Sequence, residues 1–484
     1  MQKDQSDITL VTPNAPISAP THGGRAKCLQ RLVRLELPVP KTVALSFDVV
    51  HGIAANQMPD IGQILDHFDP DALLCVRPSS ESIDWGGPKA ILNIGMNQAR
   101  FSALSETLGT EAAAKVYYWF IQAYSIHVAR LDPEIFDHIQ GQGQAALEAA
   151  LRAYEEETEE VFPQARSVQL AEVLRSMARA WGGTTARLLR QAKGAPVDAG
   201  LGLVVQKMAF GVGRGECGSG VLQLVDSDTG QPNVVGRYRR QSQGRYGLSD
   251  NDGVMYLTRD KRGPSLEEAA PDILKTLQEQ ATLMRQRLRE EMQIEFTIED
   301  GNLHILDGIR APRRASAALR IAVSLAKSGV ISKQEALLRI EPRSLGELLH
   351  RQVHPDANRD VLAQAVAASP GAATGQIVFS AEAAQASAAR SEACVLVRRE
   401  TSPEDIRGMH AASAVLTERG GMTSHAAVIG RGLGLPCVVG ASSIRFQIRK
   451  KQLVTPDGRI FREGDILTID GSNGQILAGD PPMV

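Results

Sequence analysis

Short apolar runs and alternations predict several buried β-strands. Residues 73–77 are an apolar run that ends in a charge, and residues 203–208 are a short, mostly apolar run, as expected of buried strands. In residues 293–299 isoleucine and phenylalanine alternate with polar residues, which predicts a strand with one buried face. A turn at Asp300-Gly301 then leads into a return strand over residues 302–307.

A second pattern has the period of an α-helix. Between residues 110 and 195 the apolar positions recur three and four apart, and good helix formers dominate. Residues 313–340 read as two further helices, broken at Ser328-Gly329. Strands and helices together predict a mixed α/β (α+β) protein.

Composition limits the class of protein. With 484 residues, about 150 residues per domain suggests roughly three domains. A net charge of −2 argues against a nucleic-acid partner or a membrane surface, and no apolar run is long enough to span a bilayer. The N-terminus has no signal-peptide pattern, and five scattered cysteines suggest reduced thiols. We therefore expect a cytoplasmic enzyme.

The stretch from Leu416 to Gly440 contains the strongest candidate chemistry. Gly420 and Gly421 predict a flexible entry loop, and Thr423 and Ser424 are suitable N-cap residues for a short helix that Gly432 would end. His425 would then lie in the first helical turn, where free backbone N–H groups and the helix dipole favour a neutral imidazole and a bound anion.

The string Gly-Gly-Met-Thr-Ser-His-Ala-Ala, residues 420–427, resembles the phosphohistidine loop of the phosphoenolpyruvate-utilising enzymes, those of the pyruvate phosphate dikinase type most closely. The resemblance implies that His425 is the phosphorylated histidine, with Gly420, Gly421 and Ser424 supporting its loop. It also places Thr423 on the threonine that a regulatory kinase modifies in some members.

The first half of the chain resembles the nucleotide-binding part of the same family. Arg25 replaces a phosphate-holding lysine, and Arg77 matches a phosphate-contacting arginine. Five glycines in residues 210–220 would let backbone N–H groups approach a polyphosphate closely. The resemblance implies an ATP site, with ATP as substrate, formed by Arg25, Arg77, Gln206, Gly211, Gly213, Gly218, Gly220, Gln293, Glu295 and Asp307; Glu295 and Asp307 would also bind Mg²⁺.

The hairpin around Gly301 decides whether the two carboxylates can act together. A three-residue loop would pair Gln293 with Asp307 and place Gln293, Glu295 and Asp307 on one face. A two-residue Asp300-Gly301 turn would place Asp307 on the other face. We predict the three-residue loop.

Several residues depart from the family pattern in the nucleotide-binding part. Glu81 and Lys89 reverse the expected charges, Arg237 and Arg245 replace acids, and Ile309 replaces an arginine. These departures motivate an alternative function, a catalytically degenerate nucleotide-binding or regulatory paralogue.

The resemblance also implies a domain plan and a reaction. The plan is a loose leader (1–20), an ATP-grasp domain (21–310, helical over about 106–195), a helical linker (311–368) and a swivelling phosphohistidine domain (369–484). His425 would be phosphorylated from ATP and pass the group to a pyruvate or phosphoenolpyruvate site on a separate barrel subunit. A small-molecule kinase with another acceptor is a further alternative, since rifampicin phosphotransferase looks similar in its phosphohistidine domain. A homodimer is left open.

Overall fold

The chain forms two compact units, residues 1–333 and 334–484. The computed structural model describes residues 7–82, 85–139, 143–244, 253–340, 349–354 and 356–484. Both units combine helices with β-sheets, which confirms the predicted mixed α/β class. The boundary falls inside the segment 311–368 that we predicted to be a linker, and the four-segment domain plan stays a prediction.

Helices make up much of the first unit. They are α1 (Ala19–Arg34), α2 (Phe47–Ala54), α3 (Ile61–Leu65), α4 (Gln98–Leu108), α5 (Thr110–His127), α6 (Glu134–Asp137), α7 (Gly143–Thr158), α8 (Arg166–Gly182), α9 (Thr184–Ala192), α10 (Leu266–Ala269), α11 (Pro271–Leu288) and α12 (Ala315–Lys327); α13 (Lys333–Leu338) lies at the boundary of the two units. The break between α12 and α13 contains Ser328 and Gly329, as predicted.

Two five-stranded antiparallel sheets complete this unit. The first has the order β1-β2-β5-β3-β4 and the second β10-β9-β6-β7-β8. The strands are β1 (Ile8–Leu10), β2 (Thr42–Leu45), β3 (Leu74–Ser80), β4 (Ile91–Ile94), β5 (Leu201–Lys207), β6 (Gly218–Val225), β7 (Pro232–Arg240), β8 (Val254–Tyr256), β9 (Met292–Glu299) and β10 (Asn302–Arg310).

The helical block packs on the first sheet as its apolar spacing predicts. In α5 the side chains of Val116, Phe120, Ile121 and Tyr124 are buried, and they share one core with the buried face of α8. A second core lies between α1, α11 and the second sheet, where Phe296 of β9 stacks on Tyr238 of β7.

Two local predictions need correction. Residues 8–10 are not part of a loose leader, because β1 pairs with β2 through Ile8 opposite Leu45 and Leu10 opposite Val43. Strand β3 also continues to Ser80, past the predicted strand end at Arg77, because it pairs with β5 along its full length.

The second unit contains a mixed eight-stranded sheet with the order β11-β21-β20-β13-β14-β15-β16-β12 and a small sheet β17-β18-β19. Strands β13 to β16 run parallel, and helices α14 (Ala381–Ala389), α15 (Ile406–Ala411) and α16 (His425–Leu433) lie between or beside them. The strands are β11 (Val361–Gln364), β12 (Val366–Ser369), β13 (Ala372–Val378), β14 (Cys394–Arg398), β15 (Ala414–Thr417), β16 (Cys437–Val439), β17 (Arg445–Gln447), β18 (Gln452–Val454), β19 (Ile460–Arg462), β20 (Ile466–Asp470) and β21 (Gln475–Ala478).

Within the described part of the chain, no helix combines the length and the apolar character needed to cross a bilayer.

Candidate functional site

A cavity of about 690 Å³ opens in the first unit between the two sheets. Its walls come from α1, from β3 and the segment after it, from β5, and from β9 and β10. Five of the ten residues predicted for nucleotide binding line it: Arg25, Arg77, Gln206, Glu295 and Asp307. We refer to this space as the nucleotide cavity.

Two arginines and two carboxylates form one connected cluster on its wall. Arg77 Nη2 donates to Glu295 Oε2 at 2.6 Å and lies 3.4 Å from Asp307 Oδ2. Arg25 Nε donates to the same Asp307 oxygen at 2.7 Å. The cluster therefore carries two positive and two negative charges.

This cluster is shielded from water. Arg77, Glu295 and Asp307 are 6%, 9% and 3% exposed. Burial alone would raise the pKa of Asp307, but the guanidinium groups of Arg25 and Arg77 outweigh it and hold that pKa below its usual range. Both carboxylates are thus paired with cations in this state of the cavity.

The hairpin that places Asp307 does not have the predicted turn. Asn302 pairs with Glu299, so the turn has two residues, Asp300 and Gly301, with φ of +47° and +77°. The predicted pairing of Gln293 with Asp307 is wrong, because Gln293 pairs with Ile309.

A β-bulge still brings the two carboxylates together. Ile305 pairs with Phe296 and Asp307 with Glu295, so Leu306 is the extra residue on β10. Arg77 Nη1 donates to the Leu306 carbonyl at 2.8 Å, which ties the bulge to the cluster. Asp307 and Glu295 therefore lie on the same face of the hairpin, as expected, but the cause is the bulge and not a three-residue loop.

The donor set suits a magnesium ion bound together with a polyphosphate. Mg²⁺ prefers carboxylate oxygens and is often bound by only one or two of them, with phosphate oxygens and water completing its shell. Glu295 and Asp307 supply two such carboxylates in one cavity. Among the described residues no group of three or more histidine, cysteine or acidic side chains could hold a metal alone.

The remaining predicted nucleotide residues lie elsewhere. Gln293 is not on the cavity wall, and neither are the four glycines. Gly218 and Gly220 belong to β6, where a Cβ would come within 2.4 Å of Tyr238 Oη and Phe296 Cζ respectively. Close packing in the sheet explains these two glycines. Gly211 and Gly213 precede β6 in a loop that packs on residues 241–242.

Most departures from the family pattern can be located. Glu81, Lys89 and Ile309 line the nucleotide cavity, and Arg310 beside them does as well. Arg237 is exposed on β7. Arg245 lies outside the described residues.

In the second unit His425 is the first residue of α16, as predicted. Ser424 is the N-cap residue, but its side chain makes no capping bond and its Oγ is buried without a partner. The helix continues past Gly432 and ends at Gly434, which has φ of +65°, so the predicted C-terminus is two residues short.

The imidazole of His425 is held on one side. Thr401 Oγ1 lies 3.2 Å from Nδ1, and Thr401 is itself buried. This contact directs Nδ1 towards Thr401 and leaves Nε2 on the opposite edge of the ring. Sequence patterns assigned Thr401 no role beyond a helix start after the strand at 395–398, because nothing local links it to a residue 24 positions later.

The loop before α16 is tightly built at one glycine. Gly420 has φ of +120°, and a Cβ there would lie 2.9 Å from Ser424 Oγ. Arg431 Nη2 donates to the Met422 carbonyl at 2.8 Å and fastens the loop to the helix. Thr423 is exposed beside His425.

Comparisons with known proteins agree with this geometry. A family model described as PEP-utilising enzyme, mobile domain, matches residues 390–474, which include Thr401, Thr423 and His425. Pyruvate, phosphate dikinase of Rhizobium meliloti is 35% identical over 504 residues, covering 96% of this chain and 56% of that protein. The Clostridium symbiosum protein of the same name is 35% identical, with coverages of 86% and 49%. The chain belongs to the family of phosphoenolpyruvate-utilising enzymes.

Within this family, similarity reaches well beyond the mobile domain. The chloroplastic pyruvate, phosphate dikinase of Mesembryanthemum crystallinum is 32% identical over 88% of this chain. The chain spans about half the length of the curated relatives it matches. The relatedness therefore includes most residues of the nucleotide cavity as well as the histidine loop.

Proposed function

We propose that this chain is an ATP-dependent phosphotransferase of the pyruvate phosphate dikinase type in which His425 carries the phosphoryl group. The observation that supports this best is the placement of His425 at the first position of α16, with Nδ1 against Thr401. Backbone N–H groups at a helix N-terminus suit a bound phosphoryl group, and fixing one ring nitrogen directs the other towards phosphorus.

The cluster on the cavity wall would hold the nucleotide. Arginine forks bind phosphate oxygens with two parallel hydrogen bonds, so Arg25 and Arg77 can exchange carboxylate oxygens for phosphate oxygens. Glu295 and Asp307 would then be free to hold Mg²⁺, which supplies neutralisation of phosphate charge. The same four side chains would in this way serve both the empty and the filled cavity.

The chemical step is a displacement at phosphorus. His425 Nε2 would attack ATP, form an N–P bond and break a P–O bond. Attack at the γ-phosphorus releases ADP and leaves one phosphoryl group on the ring. Attack at the β-phosphorus releases AMP and leaves a diphosphoryl group, whose outer phosphoryl group must pass to an acceptor such as inorganic phosphate before a single phosphoryl group remains. The phosphoramidate is reactive enough to pass the group on. Positioning and charge neutralisation would supply most of the rate.

The finer assignments belong to the same proposal. The first unit would be an ATP-grasp domain and the second a swivelling phosphohistidine domain, with Thr423 as a regulatory position. Pyruvate would be the acceptor and phosphoenolpyruvate the product, at a site supplied by another chain.

One observation favours a second candidate, a regulatory paralogue that binds nucleotide weakly or not at all. The charges of Arg25, Arg77, Glu295 and Asp307 already neutralise one another, and Glu81 adds an acid to the cavity wall. Such a cluster can be purely structural.

Titration calorimetry with Mg-ATP separates the two. The phosphotransferase should bind with a dissociation constant between roughly 1 μM and 1 mM. Arg25→Met should weaken binding by about tenfold or more, because a charged hydrogen bond to phosphate is lost. Lys275→Gln, an exposed charge change on α11, is the control and should bind like the parent. Absence of binding to the folded parent would favour the regulatory candidate.

A further inference from the structure

A second cavity, of about 570 Å³, lies beside the nucleotide cavity. Lys89, Ala90 and Leu92 line both spaces, so the two are neighbours within the first unit. The other walls come from α5 and from the end of β7 with the segment after it, residues 239–243. We call this second space the side pocket.

Basic side chains line the side pocket. Lys89, Lys115 and Arg239 line it, and none of its described lining residues is acidic. Burial and the nearby Arg239 lower the pKa of Lys115, and burial and Lys89 lower that of His127, a fourth basic residue on the wall. Part of each pKa shift comes from a neighbouring cation, so basic side chains lie close together on this wall, where an anion could contact more than one of them.

One wall of the side pocket is apolar. Trp119, Ala123 and Ile126 face the space along α5, with Leu92 of β4 beside them. Lys115 Nζ lies over the Trp119 ring, 4.9 Å from its centroid, so a cation and an aromatic ring are adjacent in this pocket. This combination suits a ligand that has an anionic group on a planar or apolar body.

Buried amide groups at the base of the side pocket lack partners. Asn93 Nδ2 donates to Gln243 Oε1 at 2.9 Å, but Asn93 Oδ1 and Gln243 Nε2 are buried without a hydrogen bond. Asn93 and Gln241 also have positive φ, +62° and +50°. Unpaired buried polar atoms and strained backbone together are more typical of a binding site than of a packing defect.

The side pocket is connected to the glycine-rich loop. Lys115 Nζ donates to the Gln241 carbonyl at 3.0 Å. The Gln241 side-chain amide forms two hydrogen bonds with the backbone of Gly213: Oε1 accepts from the Gly213 N–H and Nε2 donates to the Gly213 carbonyl, both at 3.0 Å. A ligand that draws Lys115 towards itself therefore pulls on the residue that holds Gly213.

We propose that the side pocket binds a small organic anion, a carboxylate or phosphate ester on a planar or apolar body, and that its occupancy alters nucleotide affinity through Lys89, Ala90 and Leu92, which line both cavities.

Binding is tested without nucleotide, by calorimetry with phenyl phosphate, benzoate and inorganic phosphate. We expect phenyl phosphate or benzoate to bind more tightly than inorganic phosphate, and the better of the two identifies the head group. Lys115→Gln should weaken that binding about fivefold or more, because a charged contact is lost, whereas Lys275→Gln should not change it. Trp119→Leu should weaken the two aromatic probes and leave inorganic phosphate unchanged.

Equal affinity for all three probes, or an unchanged affinity in Lys115→Gln, would overturn the proposal. So would the absence of binding by any probe at concentrations up to about 10 mM, since a fragment of this size in a formed pocket should reach millimolar affinity.

The coupling is tested by titrating Mg-ATP with and without a saturating amount of the better probe, and this arm alone rests on the proposed function. We expect a change of about fivefold or more that levels off as the probe saturates. No change would contradict the coupling, and a change that grows without limit would place the probe in the nucleotide cavity and contradict a separate site. If Mg-ATP itself does not bind, the nucleotide proposal fails while the probe measurement still decides the side pocket.

Discussion

Replacing Arg77 with methionine is expected to lower the free energy of unfolding of the first unit by about 3–5 kcal/mol. Arg77 donates to Glu295 and to the Leu306 carbonyl and lies 3.4 Å from Asp307, all in a buried cluster. Methionine fills a similar volume but leaves the Glu295 carboxylate buried without its cation. An uncompensated buried charge is among the costliest changes in a protein.

The measurement is denaturant unfolding followed by tryptophan fluorescence. The three tryptophans, Trp85, Trp119 and Trp181, all lie in the first unit and report on it alone. Arg310→Met is the matched control: Arg310 lines the same cavity, but its side chain is 59% exposed, so the change should be within about 0.5 kcal/mol. If the single variant does not fold, the double variant Arg77→Met, Glu295→Met should recover most of the stability. Equal losses of unfolding free energy in Arg77→Met and Arg310→Met would contradict the stabilising role of the buried cluster.

Replacing Thr423 with glutamate is expected to slow phosphorylation of His425 by roughly 10- to 30-fold. Thr423 is exposed two residues before His425, so a carboxylate there stands close to the incoming phosphate groups. The same negative charge near the N-terminus of α16 interacts favourably with the helix dipole, so the free energy of unfolding should stay the same or rise slightly. The effect should therefore appear in the transfer rate and not in stability.

Thr423→Gln is the control, since it has nearly the same shape without the charge. The rate of label incorporation from ATP should stay within about threefold of the parent in Thr423→Gln and fall in Thr423→Glu, with the difference shrinking at high salt. Equal slowing in both variants would assign the effect to shape and would remove the electrostatic basis for regulation at Thr423.

The parts of the molecule that depend on neighbouring residues could be predicted from the sequence. The start of α16 at His425 follows from Ser424 and the helix formers after it, and the buried face of α5 follows from its apolar spacing. Even there the end was misplaced: both Gly432 and Gly434 can end a helix, and only the three-dimensional packing selects Gly434.

The candidate site required information that local patterns do not contain. Arg25 and Asp307 are 282 residues apart, and Thr401 meets His425 across a loop. The bulge at Leu306 is visible only once β9 and β10 are paired, and without it the two-residue turn would have turned Asp307 away from Glu295. Gly218 and Gly220 were predicted to bind nucleotide, but they lie in β6 and allow close packing of the sheet. A glycine-rich sequence can serve strand packing as well as phosphate binding, and local sequence does not distinguish the two.

Transfer of label from ATP to His425 tests the central claim most directly. Protein is incubated with Mg-ATP labelled at the β or the γ position, with and without inorganic phosphate, and acid-labile label is counted in the parent, in His425→Ala and in His410→Ala. His410 is exposed on α15 and serves as the control histidine. The account predicts acid-labile β-label with release of AMP in the parent and in His410→Ala, and none in His425→Ala. Folded protein that takes up no label from either position, or label that persists in His425→Ala, would contradict it.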